Sequence, residues 1–254
     1  MSTVRTVVCM KWGTLYSAEY VNVLYRACRA NITGDFRFVC LTDDRTGLLP
    51  EVDVFPVPDI GLDTWHYFNG AWPKIAVFDH RLYDLSGRVL FIDLDTVVCG
   101  SLNEMFEQPG QVVAIDSQPW SKKPGGPRTG TGVFAFDVGT MGFVVDQLKA
   151  KRDALVKQYH IEQDYLHGVV SPMSYWPEPW VISFKYHLRR PLIVDRFLEP
   201  KAPPAGTKIL AFHGRPRPID LIHPPAGNWD RFPHHGSGTV SWMQDYWQQH
   251  GGHI

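Results

Sequence analysis

Asp93 and Asp95 close a short apolar run in R-V-L-F-I-D-L-D-T-V-V-C-G-S (88–101), and paired carboxylates at the end of a strand are ready ligands for a divalent cation. Residues 89–92 are apolar and rich in β-formers, which reads as a buried strand that surfaces at Asp93. Residues two apart in a strand point to the same face, so both carboxylates can turn toward one ion. Hard oxygen ligands suit Mg²⁺ or Mn²⁺, and such an ion is most useful where a diphosphate needs its charge neutralised. The same pattern also describes a plain surface turn after a core strand.

The elements that must position this pair follow from periodicity. Residues 6–10 read as a first strand, Ser17 opens a helix with Val21, Leu24, Tyr25 and Cys28 on one face, and 36–41 and 52–57 read as further strands. A β-α-β opening implies a parallel sheet with ligands at the carboxyl ends of its strands. Residues 73–82 read as a helix, and Ser101-Leu102-Asn103-Glu104 matches a capping box, so a short helix should follow the acidic turn. Further strands are expected at 111–115, 132–137, 180–184 and 209–212, and helices at 140–157, 162–167 and 240–249. The Pro-, Gly- and base-rich stretch 117–131 cannot be a regular element. This organisation suggests a single domain over 1–254, with a nucleotide-binding half (1–116) and an acceptor- and sugar-binding half (117–254).

The chain has 254 residues, 44% of them hydrophobic and 20% charged, with a formal net charge of −1, so nothing marks it as a partner of nucleic acid. No run approaches a membrane-spanning length. The closing S-W-M-Q-D-Y-W-Q-Q-H lacks the basic face of an interfacial helix, so peripheral membrane contact stays open and packing against the core is expected. Cys9, Cys28, Cys40 and Cys99 sit in apolar segments without paired spacing, which fits reduced core thiols and a cytoplasmic protein.

Further pieces occur in a telling order: A-W-P-K-I-A-V-F with Lys74, then D-L-D, T-G-T-G-V-F-A-F-D, H-I-E-Q-D-Y-L-H and A-F-H-G-R-P-R-P. Their order and spacing resemble the retaining glycosyltransferases of family 8, and the opening K-W-G-T-L-Y-S-A-E-Y and L-T-D-D extend the resemblance over most of the chain. The resemblance implies an α/β GT-A fold, a Rossmann-like nucleotide-sugar-binding fold with a mainly parallel central sheet and an irregular, acceptor-facing C-terminal region. It further implies that Asp93, Asp95 and His213 hold Mn²⁺ (or Mg²⁺), the imidazole tilting the choice toward Mn²⁺. Lys74 would add a cation to the phosphates of a UDP-sugar, and Tyr16, Asp43, Leu94, Thr131 and Gly214 would complete the donor-binding set. Tyr16 can stack on uracil, and Asp43 can accept a hydrogen bond from the ring N–H or ribose.

Glu162-Gln163-Asp164 resembles the family's acidic-Gln-acidic motif, in which the carboxamide lies near the anomeric carbon and the acids bind sugar hydroxyls. The sequence departs from the pattern twice: Glu162 stands where Asp is usual, and T-G-T-G-V lacks the Asn often found before the family's Ser/Ala-Gly pair. Lys122, Lys123 and Arg128 suggest a lid over the diphosphate, and Trp65, Trp72, Trp176 and Trp180 a sugar platform of which only one or two members should be exposed. The expected reaction is metal-dependent transfer of a hexose from a UDP-sugar to a hydroxyl of a glycan, a lipid-linked sugar or a protein, with retention. No residue stands out as a covalent nucleophile, which favours a front-face course in which Gln163 and Glu162 position the sugar. One alternative is a haloacid-dehalogenase-type phosphatase with Asp93 as nucleophile. Another is a sugar-nucleotide-binding protein without catalysis.

Overall fold

A computed structural model describes residues 4–120 and 128–254, and their contacts sort into two compact units. The first takes in residues up to Tyr16, then Gly34–Asp93 and Asn103–Trp176; the second comprises Ser17–Thr33, Leu94–Leu102 and Pro177–Ile254.

The first unit is built on strands β1 (Arg5–Lys11), β2 (Phe36–Thr42), β3 (Asp53–Phe55) and β4 (Arg88–Ile92). Helix α1 (Ala18–Asn31) links β1 to β2 in sequence, and β5 (Thr96–Val98) follows β4; both belong to the second unit. Strands β6 (Val112–Asp116), β7 (Thr129–Asp137) and β8 (Ser174–Tyr175) complete a seven-stranded sheet in the order β3-β2-β1-β4-β7-β6-β8. The pairs β3/β2, β2/β1, β1/β4 and β6/β8 are parallel, whereas β7 runs antiparallel to both β4 and β6. The mainly parallel sheet is thus present, with one strand, β7, reversed beside the central β4.

The runs Val7–Cys9 of β1 and Val89–Ile92 of β4 are fully buried, as expected of strands covered on both faces. Phe134 of β7 stacks on Phe91 of β4 at 4.7 Å between centroids and on Phe78 at 5.4 Å, forming the aromatic centre of this core. Phe78 closes the segment Trp72–Phe78, expected as an α-helix over 73–82 and found as a shorter 3₁₀ helix. Every residue of that segment is buried, Lys74 included, so it has no polar face on which a longer amphipathic helix could rest. The short helix α2 (Thr64–Phe68) precedes it, and α3 (Gly142–Tyr159) and α4 (Glu162–Val169) complete the unit.

The second unit carries a three-stranded sheet in which β10 (Ile209–Ala211) lies between β5, antiparallel, and β9 (Val181–Ser183), parallel. Helix α5 (Ser241–Gln249) packs through Met243 and Trp247, and the Trp247 indole meets the Tyr20 ring edge-on at 5.1 Å. The closing helix therefore packs in the core of its unit, as its sequence suggested. All four cysteines are free thiols, with Cys9, Cys28 and Cys40 buried. Desolvation raises the pKa of Cys28 and pushes that of Cys99 up to about 12, so both are poor nucleophiles. Among the described residues no helix is long and apolar enough to cross a membrane.

Candidate active site

In an open α/β sheet a ligand crevice forms beyond the carboxyl ends of the strands where the strand order reverses. Here that point lies between β1, whose other neighbour is β2, and β4, whose other neighbour is β7. Asp93 leaves the end of β4, and its backbone N–H donates to the Gly132 carbonyl at 2.8 Å. The ladder continues one residue past the strand, which fixes Asp93 opposite Gly132 of β7, the residue after Thr131.

Lys74 binds this edge together from below. Its Nζ donates to Asp93 Oδ2 at 2.8 Å and to the Thr131 carbonyl at 3.2 Å, and lies 3.4 Å from Glu162 Oε1. The Thr131 hydroxyl donates to the same Glu162 oxygen at 2.5 Å. Lys74, Thr131 and Glu162 are 6%, 3% and 5% exposed, so three polar side chains from three elements satisfy one another in near-complete isolation from water. The lysine expected to meet phosphates is thus also the internal counter-ion of two acidic site residues.

Glu162 opens α4, and its backbone N–H donates to the Gly70 carbonyl at 2.9 Å. Gly70 has φ +82, and a Cβ there would come within 2.6 Å of the His160 carbonyl and 2.7 Å of Trp72 Nε1. Only glycine fits both the left-handed backbone and the close approach. Acidic residues in the first turn of α4 also suit its dipole. Asp164 keeps a buried carboxylate oxygen, Oδ1, without a hydrogen-bond partner, and burial together with the neighbouring Glu162 raises its pKa. The ionised form is therefore penalised in the folded state, a cost that appears as pH rises past the ordinary aspartate value of 3.8. Asp164→Asn is expected to raise the thermal midpoint at pH 7 relative to wild type, with the gain vanishing as pH falls below that value. A constant difference between the two proteins across that range would exclude the penalty.

At the ends of β1 and β2, Asp43 Oδ2 accepts the Gly13 N–H at 2.9 Å, and Tyr16 is half-buried. Lys11, which the sequence reading did not single out, is 4% exposed with its ammonium 4.0 Å from Asp44. A lysine closing an apolar strand was the available signal. Also unforeseen is the Thr129 hydroxyl, 2.9 Å from His167 Nδ1 and 3.4 Å from the Tyr175 hydroxyl.

Arg128 pairs with Asp116 and lies 4.5 Å over the Tyr175 ring, and the Arg128 carbonyl accepts the Ser117 N–H at 2.7 Å and the Ser117 hydroxyl at 2.9 Å. The suggested lid residues Lys122 and Lys123 lie outside the described residues. Of the tryptophans, Trp65 is 55% exposed and Trp180 half-buried, whereas Trp72 and Trp176 are core, close to the expected proportion.

The acidic pair itself lies on a turn between β4 and β5, so strand alternation does not set the direction of its carboxylates. Asp93 ends one stretch of the first unit, and Leu94, which is buried, and Asp95, which is half-buried, begin a stretch of the second. In that second unit His213 follows β10, its carbonyl accepts the Lys185 Nζ at 2.7 Å, and its ring stacks on Tyr186 at 5.9 Å. Desolvation and then the nearby Lys185 ammonium push the His213 pKa down to about 4, so the imidazole is neutral at pH 7, the form that ligates metals. Gly214 takes a left-handed φ of +69. Among the described residues no group of three or more His, Cys, Asp or Glu side chains is assembled to hold a metal. The donor chemistry of Asp93, Asp95 and neutral His213 nonetheless suits Mn²⁺.

No family model and no curated protein matches this sequence. Solved structures do match its fold. A galactosyltransferase, LgtC, crystallised with donor and acceptor sugar analogues, is similar over 98% of this chain and 97% of its own, with a TM-score of 0.61 at 13% identity. The glycosyltransferase GlyE of Streptococcus pneumoniae TIGR4 is similar over 99% of this chain at TM-score 0.58 and 17% identity, and there this chain spans only 61% of the neighbour's length. Mouse xyloside xylosyltransferase 1 is similar over 84% of this chain at TM-score 0.50 and 13% identity. The architecture is thus the GT-A fold of LgtC.

Proposed function

We propose that the chain is a metal-dependent glycosyltransferase that moves a hexose from a UDP-sugar to a hydroxyl acceptor with retention. The observation that supports this most is the buried Lys74–Asp93–Thr131–Glu162 cluster at the point where the strand order reverses. That is where this architecture receives ligands, and the cluster orients two carboxylates there around one ammonium, leaving a net negative charge suited to a cation.

In this reading Asp93, Asp95 and His213 would hold the cation. When bound, it would stabilise the charge growing on the departing diphosphate. Lys74 holds Asp93 in place, while Glu162, held by Lys74 and Thr131, fixes the start of α4 and so positions Gln163 and Asp164 for the sugar. Asp164 contributes an acceptor already stripped of water, and Asp43 and Tyr16 bind the nucleoside. The incoming hydroxyl would pass its proton to the departing phosphate oxygen. The fold favours this scheme over phosphoester hydrolysis through Asp93.

The decisive measurement is UDP release from a panel of UDP-sugars with Mn²⁺, comparing wild type with Asp95→Ala. Donor hydrolysis or transfer that disappears in the variant would support the proposal. Phosphate release from a simple phosphoester without UDP would assign phosphatase chemistry instead. Saturable UDP binding without turnover of any donor would leave a binding protein.

A further inference from the structure

The segment 189–201 of the second unit, R-R-P-L-I-V-D-R-F-L-E-P-K, displays more apolar surface than any soluble face requires. Leu192 is 46% exposed, Ile193 80%, Val194 39%, Phe197 75% and Leu198 53%. Single exposed apolar residues are ordinary, but this many within seven positions mark a contact surface. A second tip belongs with it. Phe232 is 82% exposed, and it stands next to Arg231 and close in sequence to Asp230.

Arg189 ties the two tips to one base. Its guanidinium donates to Asp195 through Nε at 2.8 Å and through Nη2, and to Asp230 through Nη1, and it lies 4.8 Å over the Trp229 ring. Asp195 is 2% exposed, and its other oxygen accepts the Arg190 N–H at 3.1 Å. A planar cation shared by carboxylates of two segments is a rigid anchor, so the apolar tips project from a fixed platform.

The charges around the tips are sorted by sign. Asp195 and Asp230 are engaged by Arg189, and Glu199 accepts the Ser241 N–H at 2.8 Å and its hydroxyl at 2.7 Å. Arg196, Lys201 and Arg231 are exposed. Asp195 is buried and Asp230 half-buried, and exposed Glu199 has both carboxylate oxygens bonded to Ser241, whereas three cations stand exposed, so the rim of the apolar patch is cationic on balance. We infer that this face docks on a membrane surface bearing anionic phospholipid, with Ile193, Phe197, Leu198 and Phe232 entering the acyl boundary and the cations meeting headgroup phosphates. Apolar insertion and headgroup attraction are each marginal alone and are effective together. The inference rests on this patch and not on the proposed transferase activity.

The test is co-sedimentation of the full chain with vesicles of phosphatidylcholine alone and with added phosphatidylglycerol. Wild type should sediment with the anionic vesicles. Binding should fall at least about tenfold in Ile193→Ser/Phe197→Ser, and likewise in Arg196→Glu/Arg231→Glu, with circular dichroism and thermal midpoints unchanged. As an independent readout, the indole introduced by Phe197→Trp should show a blue shift and quenching by brominated acyl chains. Equal binding of the serine variant, an emission from the Phe197→Trp variant unaffected by lipid, or indifference to phosphatidylglycerol would each overturn the inference. So would concentration-dependent dimers of the wild type, abolished by the serine pair, in a protein that ignores vesicles; the face would then be a self-association surface.

Discussion

Asp93→Asn is expected to cut turnover of a sugar nucleotide by about a thousandfold while lowering the unfolding midpoint by only a few degrees. The two effects separate because the carboxylate has two neighbours of different kinds. An amide keeps the shape of the side chain and its place beside Gly132, and Lys74 retains Glu162 at 3.4 Å and the Thr131 carbonyl at 3.2 Å. The buried ammonium therefore keeps a counter-charge. What the amide lacks is the full negative charge that a divalent ion requires, and loss of a charge acting on the transition state carries the larger penalty. UDP release and a thermal melt on the same preparation check this. A proportional loss of both would make Asp93 a structural acid only.

Lys74→Met should produce the largest stability loss of any single change near the site, about 3–5 kcal/mol, because it strands Glu162 at 5% exposure with only the Thr131 hydroxyl. For a chain of this size that corresponds to a fall of roughly 6–20 °C in midpoint. The diagnostic comparison is Lys74→Met/Glu162→Gln. Removing the acid along with its cation leaves no uncompensated buried charge, so the double variant should be more stable than Lys74→Met alone. Chemical denaturation of the four proteins of the cycle gives the coupling directly, and an additive result would show that the 3.4 Å pair carries no energy.

Much of the sheet was readable because its parallel strands are buried on both faces, so the apolar runs at 6–10, 36–41 and 89–92 stand out without alternation. The first helix and its Ser17 boundary follow from a one-sided stripe. What escaped has particular causes. Thr96–Val98 continues the same apolar text as β4, and nothing in residue type says that a turn at Asp93–Asp95 sends it into a different sheet. Thr64–Phe68 is too short for periodicity to register. The capping-box signal at Ser101 led only to a 3₁₀ turn at Asn103–Phe106.

The site was legible as a list and less so as a circuit. Asp93, Thr131, Glu162 and Lys74 are brought together around one buried ammonium. Sequence offered Lys74 only as a cation for phosphates, because a lysine among apolar residues carries no mark of which way its ammonium turns. Its 6% exposure follows from the all-apolar 3₁₀ segment that carries it, a tertiary fact. His213 lies in the other compact unit from Asp93, and sequence distance alone gave no view of the Lys185 ammonium that helps keep its imidazole neutral.

The hydrogen bonds between Ser117 and Arg128, reinforced by the Arg128–Asp116 pair, make a clasp at the foot of the β6–β7 connection. Because β7 takes its register from β4 as well as from β6, whatever is spliced between the jaws of that clasp need not alter the ladder that sets Asp93 against Gly132. The connection is accordingly a natural place for grafting: a foreign epitope, a purification tag or a recognition segment borrowed from another enzyme should be accommodated there with the scaffold intact.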